Sequence, residues 1–237
     1  MVSKEFKINY IEGSSSAINL PEGVAGIFRD NASLNGSASV DGDMYIISES
    51  TTANDLYRFV NGTVFVPDNV VDSRSAPLPD GYDLLWYNQL ASIINQFPTS
   101  FPQDAEDYDL PSNRTITIDT KGNTINIVVD EISTNRDINI ISSGQVNLYV
   151  RNKIDLKGQA KVNQYGDTSQ LTIYYAGNSE IKINGGQRLN GSIFTKTANV
   201  SLTGSSNFNG FIISGGNEVS LNGGNYSEAL IIAPYAD

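Results

Sequence analysis

The stretch VSLTGSSNFNGFIISGGNEVSLNGG, residues 200–224, nearly repeats itself after 19 positions: Val200, Leu202 and Gly204 return as Val219, Leu221 and Gly223. The register reaches back to Ile181, Ile183 and Gly185. A second register runs through the same copies, with Gly191, Ile193 and Phe194 answered by Gly210, Ile212 and Ile213, then by Ala229, Ile231 and Ile232. Each copy therefore holds two short β-branched runs separated by Gly, Asn and Ser, the chemistry of strands and of the turns between them. One such unit cannot bury its own apolar face, but stacked copies can, and a strand-and-turn repeat with no helical period gives a parallel β-helix with one coil per repeat. The expected fold is all-β, a right-handed parallel β-helix (β-solenoid) of about 19–22 residues per coil. Alternation along each strand predicts inward columns, Ile181/Val200/Val219, Ile183/Leu202/Leu221 and Ile193/Ile212/Ile231.

Polar positions repeat too. Asn184, Thr203 and Asn222 share one register and Asn190 and Asn209 another, all beside glycines where the chain must turn. Stacked Asn side chains can hydrogen-bond from coil to coil, each bond contributing about 0.5–1.5 kcal/mol net. They read as structural turn ladders rather than as ligand-binding residues.

Proline and charge divide the chain. No proline lies between positions 112 and 233, whereas Pro67, Pro77, Pro79, Pro98, Pro102 and Pro111 crowd one segment. That segment, 67–111, carries eight acidic residues against Arg74 alone, while 113–237 holds ten acidic and ten basic residues. Before it the repeat returns in weaker form, with Gly42, Met44 and Ile46 standing 20 residues ahead of Gly62, Val64 and Val66. The expected organisation is one structural domain: solenoid coils over 1–66, an acidic, Pro-rich insertion between coils over 67–112, and the main solenoid over 113–237. Within the insertion Trp86, Leu90, Ile93, Ile94 and Phe97 fall on one face of a helix over about 83–97, capped by Asp80 or Asp83 and stopped by Pro98. Its apolar face is expected to pack on the flank or open end of the solenoid.

The search for chemistry excludes more than it finds. Cysteine is absent, so no disulfide or thiolate site exists, and histidine is absent, which removes the usual triad base, the commonest metal ligand and the pH switch. A net charge of −11 and a pI near 4.4 argue against nucleic acid and anionic membranes as partners. Parallel β-helices include pectin-degrading lyases and hydrolases, whose reactions need carboxylates converging on one face. The solenoid acids Asp119, Asp130, Glu131, Asp137, Asp155, Asp167, Glu180, Glu218 and Glu228 share no register, so no catalytic residue is expected and the enzyme reading ranks last. The DAEDYD run offers Asp104, Glu106, Asp107 and Asp109 as oxygen ligands of the kind Ca²⁺ takes, but without EF-hand spacing or its glycine, and a solvated acidic loop is preferred. No cofactor is expected, since the glycines follow strands as turn residues and open no phosphate-binding helix.

The run QLTIYYAGNSEIKINGGQRLNGSIFTKTANVSLTGSSNFNGFIISGGNEVSLNGGNYSEALI, residues 170–231, resembles the C-terminal domain of unassigned function that follows prepilin-like N-termini in PilX-type bacterial pilus-assembly proteins. The family's strand of the "lyIY" kind falls on Leu171 to Tyr175, its glycine-and-aliphatic coils on Gly191 to Gly204 and Phe208 to Ser214, and its closing stretch on Asn225 to Leu230. NGSASVDGDMYI resembles the family's earlier coils. Two departures stand out: Ser227 replaces a frequent Asp, and the family's N-terminal hydrophobic segment is missing, since MVSKEFKINYIEG holds no apolar run near the roughly 7–15 residues of a signal segment or the about 20 of a membrane span. The resemblance implies a non-catalytic structural or adhesive module at the cell surface, an ectodomain without its anchor. Other cell-surface or pilus proteins would be its partners, with no membrane insertion by this segment; the alternative to a cytosolic protein is thus preferred. A ligand-binding solenoid, ice-binding-like or glycan-binding, is the competing class. Ice recognition wants a flat face of Thr and small residues, and Thr195, Thr197 and Thr203 do not align at 19-residue spacing.

Overall fold

The computed structural model describes residues 20–30, 33–48, 56–103, 105–108, 110–223 and 226–236, with the backbone alone at 106 and 226–228. Among the described residues nineteen strands join one sheet, and every strand pairing is parallel, so the chain is a β-solenoid whose coils present three walls. The 19-residue repeat is the coil: Ile193 stands beside Ile212, Ile212 beside Ile231, Ile183 beside Leu202 and Leu202 beside Leu221, all buried in the main core. The weaker N-terminal repeat is in register too, with Met44 beside Val64.

Coil length varies along the stack. Stacked Leu148 and Ile173 are 25 positions apart, because the coil between them carries an extra turn over residues 163–170. There Asp167 caps the short helical turn Thr168–Gln170, and the Gln170 side chain accepts from the Asp167 N–H at 2.8 Å, a reciprocal capping box.

Chain order and spatial order differ. Along the first wall the strands run Glu106–Asp107, Thr124–Thr134, Gln145–Leu156, Leu171–Tyr175, Ser192–Thr195, Asn207–Ser214 and Tyr226–Ala233. The next neighbour is not a later segment but Val24–Phe28, followed by Asp43–Ile46, Val64–Val66 and Ala76–Pro77. The N-terminal coils therefore continue the stack beyond its C-terminal strand. The coils that flank segment 67–112 in sequence lie at opposite ends of the stack, and the segment is a strap that carries the chain back along the solenoid. Its short strands Ala76–Pro77 and Glu106–Asp107 are the outermost of the first wall among the described residues.

The strap is held by a second apolar core. Successive first-wall strands place Phe65, Tyr45, Ile27, Ile232, Ile213, Phe194, Tyr174, Tyr149 and Val128 in one column on the outer side of the wall. A strand wall apolar on both sides needs cover on both. Helix α1 (Leu84–Ala91) and the 3₁₀ turn Ser92–Gln96 supply it through Trp86, Leu90, Ile93, Ile94 and Phe97, all buried against that column. Trp86 sits 6.3 Å from the Tyr45 ring, Phe97 5.4 Å from Phe194 and Phe101 5.1 Å from Tyr149, so the strap crosses the coils in their spatial order. Each large side chain buried this way contributes about 1.5–3 kcal/mol. Asp83 is the cap, its Oδ1 accepting from the N–H of Leu85 at 2.9 Å and Trp86 at 3.0 Å, and the helical run ends at Phe97, before Pro98.

Candidate functional site

The strap covers the outer column of the first wall, and polar groups lie on the other two walls, at the turns and at the end of the stack near residue 107. On the second wall strand alternation sends Ser133, Asp155, Lys182, Ser201, Ser220 and Ser33 away from the core in one register, of which Ser201 and Ser220 are nonetheless buried. Its charged groups are paired: Lys153 Nζ lies 3.0 Å and Lys157 Nζ 3.5 Å from Asp155, and Lys182 Nζ lies 2.9 Å from Glu180. Burial pulls the Asp155 carboxyl upward, but the hydrogen bond and charge of Lys153, with Lys157, outweigh it and hold the group below the usual carboxylate range. The third wall presents Thr117 and Asn139, then Lys161, Arg188 and Asn207 in register.

The turn residues singled out by the repeat lie at the corners. Thr203 stands beside Asn222 and Asn222 beside Asn35, and Asn35 Nδ2 donates to Asn222 Oδ1 at 2.9 Å. Asn190 stands beside Asn209, with Asn209 Nδ2 donating to Asn190 Oδ1 at 2.9 Å and Asn190 Nδ2 to the Gln164 carbonyl at 3.0 Å. Asn184, at the start of the first ladder, is exposed, and its side chain makes no hydrogen bond among the described residues. Two further rungs, Asn147 to Asn126 at 3.0 Å and Asn61 to Asp41 at 2.8 Å, span coils of 21 and 20 residues.

At the stack end an open cleft of about 680 Å³ is lined by Asp107, Tyr108, Pro111, Asn113, Asp130 and Glu131, among others. Arg151 stands between two of its acids, 2.9 Å from Asp130 and 3.5 Å from Asp107. The hydrogen bond to Asp130, with both carboxylate charges, holds the guanidinium still more firmly in its charged form. Of the proposed Ca²⁺ ligands, Asp104, Asp109 and the side chain of Glu106 lie outside the described residues, and Asp107 faces Arg151. Among the described residues, no three carboxylates come together as a metal-holding group.

Three further acids are engaged locally. Asp119 accepts from Ser142 Oγ at 2.6 Å and from the Lys121 N–H at 3.0 Å, and these bonds hold its carboxyl below the usual range. Asp137 accepts from the Lys161 N–H across a coil at 3.0 Å. Asp167, lowered by its bonds with Ser169, caps the turn already described. A general acid at neutral pH needs the opposite shift. What this surface can do is present fixed polar and charged groups at coil spacing.

Comparison with known proteins gives a family and likenesses among solved structures. A family model described as a domain of unknown function (DUF7305) matches residues 104–231. The curated proteins returned no match. The solved DUF3494 domain of Shewanella frigidimarina ice-binding protein 1 is similar over 89% of this chain and 94% of that one, at 17% identity and a TM-score of 0.47. No helix among the described residues is long and apolar enough to cross a membrane.

Proposed function

The chain belongs to the DUF7305 family, and from that premise we propose that it is a non-catalytic structural or adhesive module displayed at the cell surface, the ectodomain of a PilX-type pilus-assembly-like protein. One observation carries the non-catalytic reading: Asp119, Asp130, Asp137, Asp155, Asp167 and Glu180 are each tied into an ion pair or a turn hydrogen bond. Carboxylates so held stiffen a scaffold and are not free to exchange protons with a substrate. The ordered likeness of residues 170–231 to the PilX-type domain supports the pilus assignment. On this reading a hydrophobic N-terminal segment tethers the module outside the membrane, and its partners are other surface or pilus proteins.

The test is made in the native host. The expected result is that added protease degrades the domain on intact cells and that the domain travels with sheared surface filaments. Protection from protease in intact cells, with release only on lysis, overturns the proposal.

A glycan-binding role is the second reading, favoured by the cleft. Tyr108 offers an exposed aromatic face there, and Asp130, Glu131 and Asn113 are planar polar groups of the kind that bracket sugar hydroxyls. A glycan array would show binding that Tyr108→Ala removes. The ice-binding alternative predicts thermal hysteresis; the charged register Asp155–Lys182 on the second wall opposes it.

A further inference from the structure

Six Asn-Gly pairs occur in the chain, at Asn35, Asn61, Asn184, Asn190, Asn209 and Asn222, and each is chemically capable of the same intramolecular reaction. The following glycine offers an unhindered backbone nitrogen to the Asn side-chain carbonyl carbon. Sequence alone cannot rank the six. The fold can, because the reaction needs a side chain free to swing onto the next nitrogen and an N–H open to base.

Five pairs are restrained. Asn35 Nδ2 donates to Ser33 Oγ at 3.2 Å and to Asn222 Oδ1 at 2.9 Å, and Gly36 packs on Gly223. Asn61 Nδ2 donates to Ser39 Oγ at 3.1 Å and Asp41 Oδ1 at 2.8 Å. Asn190 and Asn209 bond to each other at 2.9 Å, and Gly191 and Gly210 are buried. Asn222 receives the Asn35 bond, and the Gly223 N–H donates to the Asn35 carbonyl at 3.1 Å.

Asn184 differs on every count. It and Gly185 are exposed, its side chain has no hydrogen-bond partner among the described residues, and nothing lies within 4 Å of the position a Gly185 Cβ would take. In the next two coils the equivalent N–H groups are used, Gly204 donating to Asn222 at 2.9 Å and Gly223 to Asn35 at 3.1 Å, whereas the Gly185 N–H makes no such bond among the described residues.

We propose that Asn184 is a site of spontaneous modification, converting through a cyclic imide to aspartate and isoaspartate. Solvent base takes the proton from the Gly185 nitrogen, which attacks Asn184 Cγ. The N–Cγ bond forms, the Cγ–Nδ2 bond breaks, and the side-chain nitrogen takes up a proton and leaves as ammonia. Water then opens the imide at one of its two carbonyls, giving a carboxylate on either the side-chain or the main-chain branch. Nothing is oxidised or reduced. The product places a new anion at the exposed start of the first turn ladder.

Peptide mapping by mass spectrometry tests this on the full chain incubated at mildly alkaline pH, folded and in urea. The unfolded chain sets the intrinsic rate at each pair. Conversion at Asn184 in the folded chain is expected to approach its unfolded rate, with the other five well below theirs, and Asn184→Gln should remove the signal from that peptide alone. Protection of Asn184 equal to that of Asn190 and Asn209, or folded-state conversion of those two at their unfolded rates, overturns the proposal.

Discussion

Gly26 lies in register beside Ile231, so the first described strand of the chain is the direct neighbour of the last. Residues 104–231, the part matched by the family model, consequently end on an open coil if taken alone and also leave Tyr149, Tyr174, Phe194 and Ile213 without the strap. A fragment starting at residue 104 is expected to bind an apolar dye and aggregate, while the full chain does neither. A monomeric fragment with the melting temperature of the full chain would show that strap and N-terminal coils are dispensable.

Ile212 sits between Ile193 and Ile231 with no exposed surface. Ile212→Ala should cost about 2–5 kcal/mol in a denaturant titration. Ile212→Asp buries an unpaired charge and should abolish the folding transition. Wild-type melting of the Asp variant would refute the register.

Trp86, 7% exposed and 4.9 Å from the Tyr82 ring, reports on the strap. Its fluorescence should be blue-shifted in the native protein and move to the red on unfolding. Removing the cap with Asp83→Ala should destabilise by about 0.5–2 kcal/mol. Native emission already at the wavelength of solvated indole would mean that the strap does not pack.

Tyr45 gives the strap an alkaline limit. Burial, then the charges of Asp43 and Tyr82, raise its phenol from 10.0 to about 12. Above pH 10 an unfolded chain gives up a proton that the folded chain retains, so stability is present in full below that pH and is lost as pH climbs towards about 12. Melting temperatures taken across this interval should fall, and Tyr45→Phe should flatten the fall. An unchanged slope in the variant would remove Tyr45 as its source.

Two glycines separate strain from collision. Gly185 has φ +56 and open space around it, so Gly185→Ala should cost about 1–2 kcal/mol for the left-handed backbone alone. Gly210 has φ +130, and a Cβ there would run into the Gly191 carbonyl oxygen. Gly210→Ala should therefore cost about 4 kcal/mol or more, in the range reserved for severe lesions. Equal losses at the two sites would contradict the coil stacking at Gly210.

The coil was legible because Ile193, Ile212 and Ile231 face one another at a constant interval, and the strap helix because its five large apolar residues follow helical spacing. The junction of Gly26 with Ile231 was not. It joins distant segments, and its inward position is a glycine whose place is filled by the Phe28 ring, 2.6 Å from where a Cβ would stand. The outer column did leave a trace: Phe194, Ile213 and Ile232 each follow an inward Ile, and such doubled apolar positions mark strands buried on both sides. The cleft was invisible, because it gathers Asp107, Asn113 and Asp130 from separate strands and turns with no common spacing.

The same junction decides how the molecule would carry tension. The Asp30 N–H reaches the Ala236 carbonyl at 3.4 Å, and the chain enters the pairing at Gly26 and leaves it at Ala233, opposite ends of two parallel strands. Opposed forces applied on either side therefore load that ladder in shear, with its hydrogen bonds resisting together rather than peeling one by one. Both pulling points lie part-way along the stack, so the coils near residues 64 and 127 fall outside the direct line of force. A tether joined to one side and a cargo joined to the other would make this pair of strands the mechanical clamp of the module.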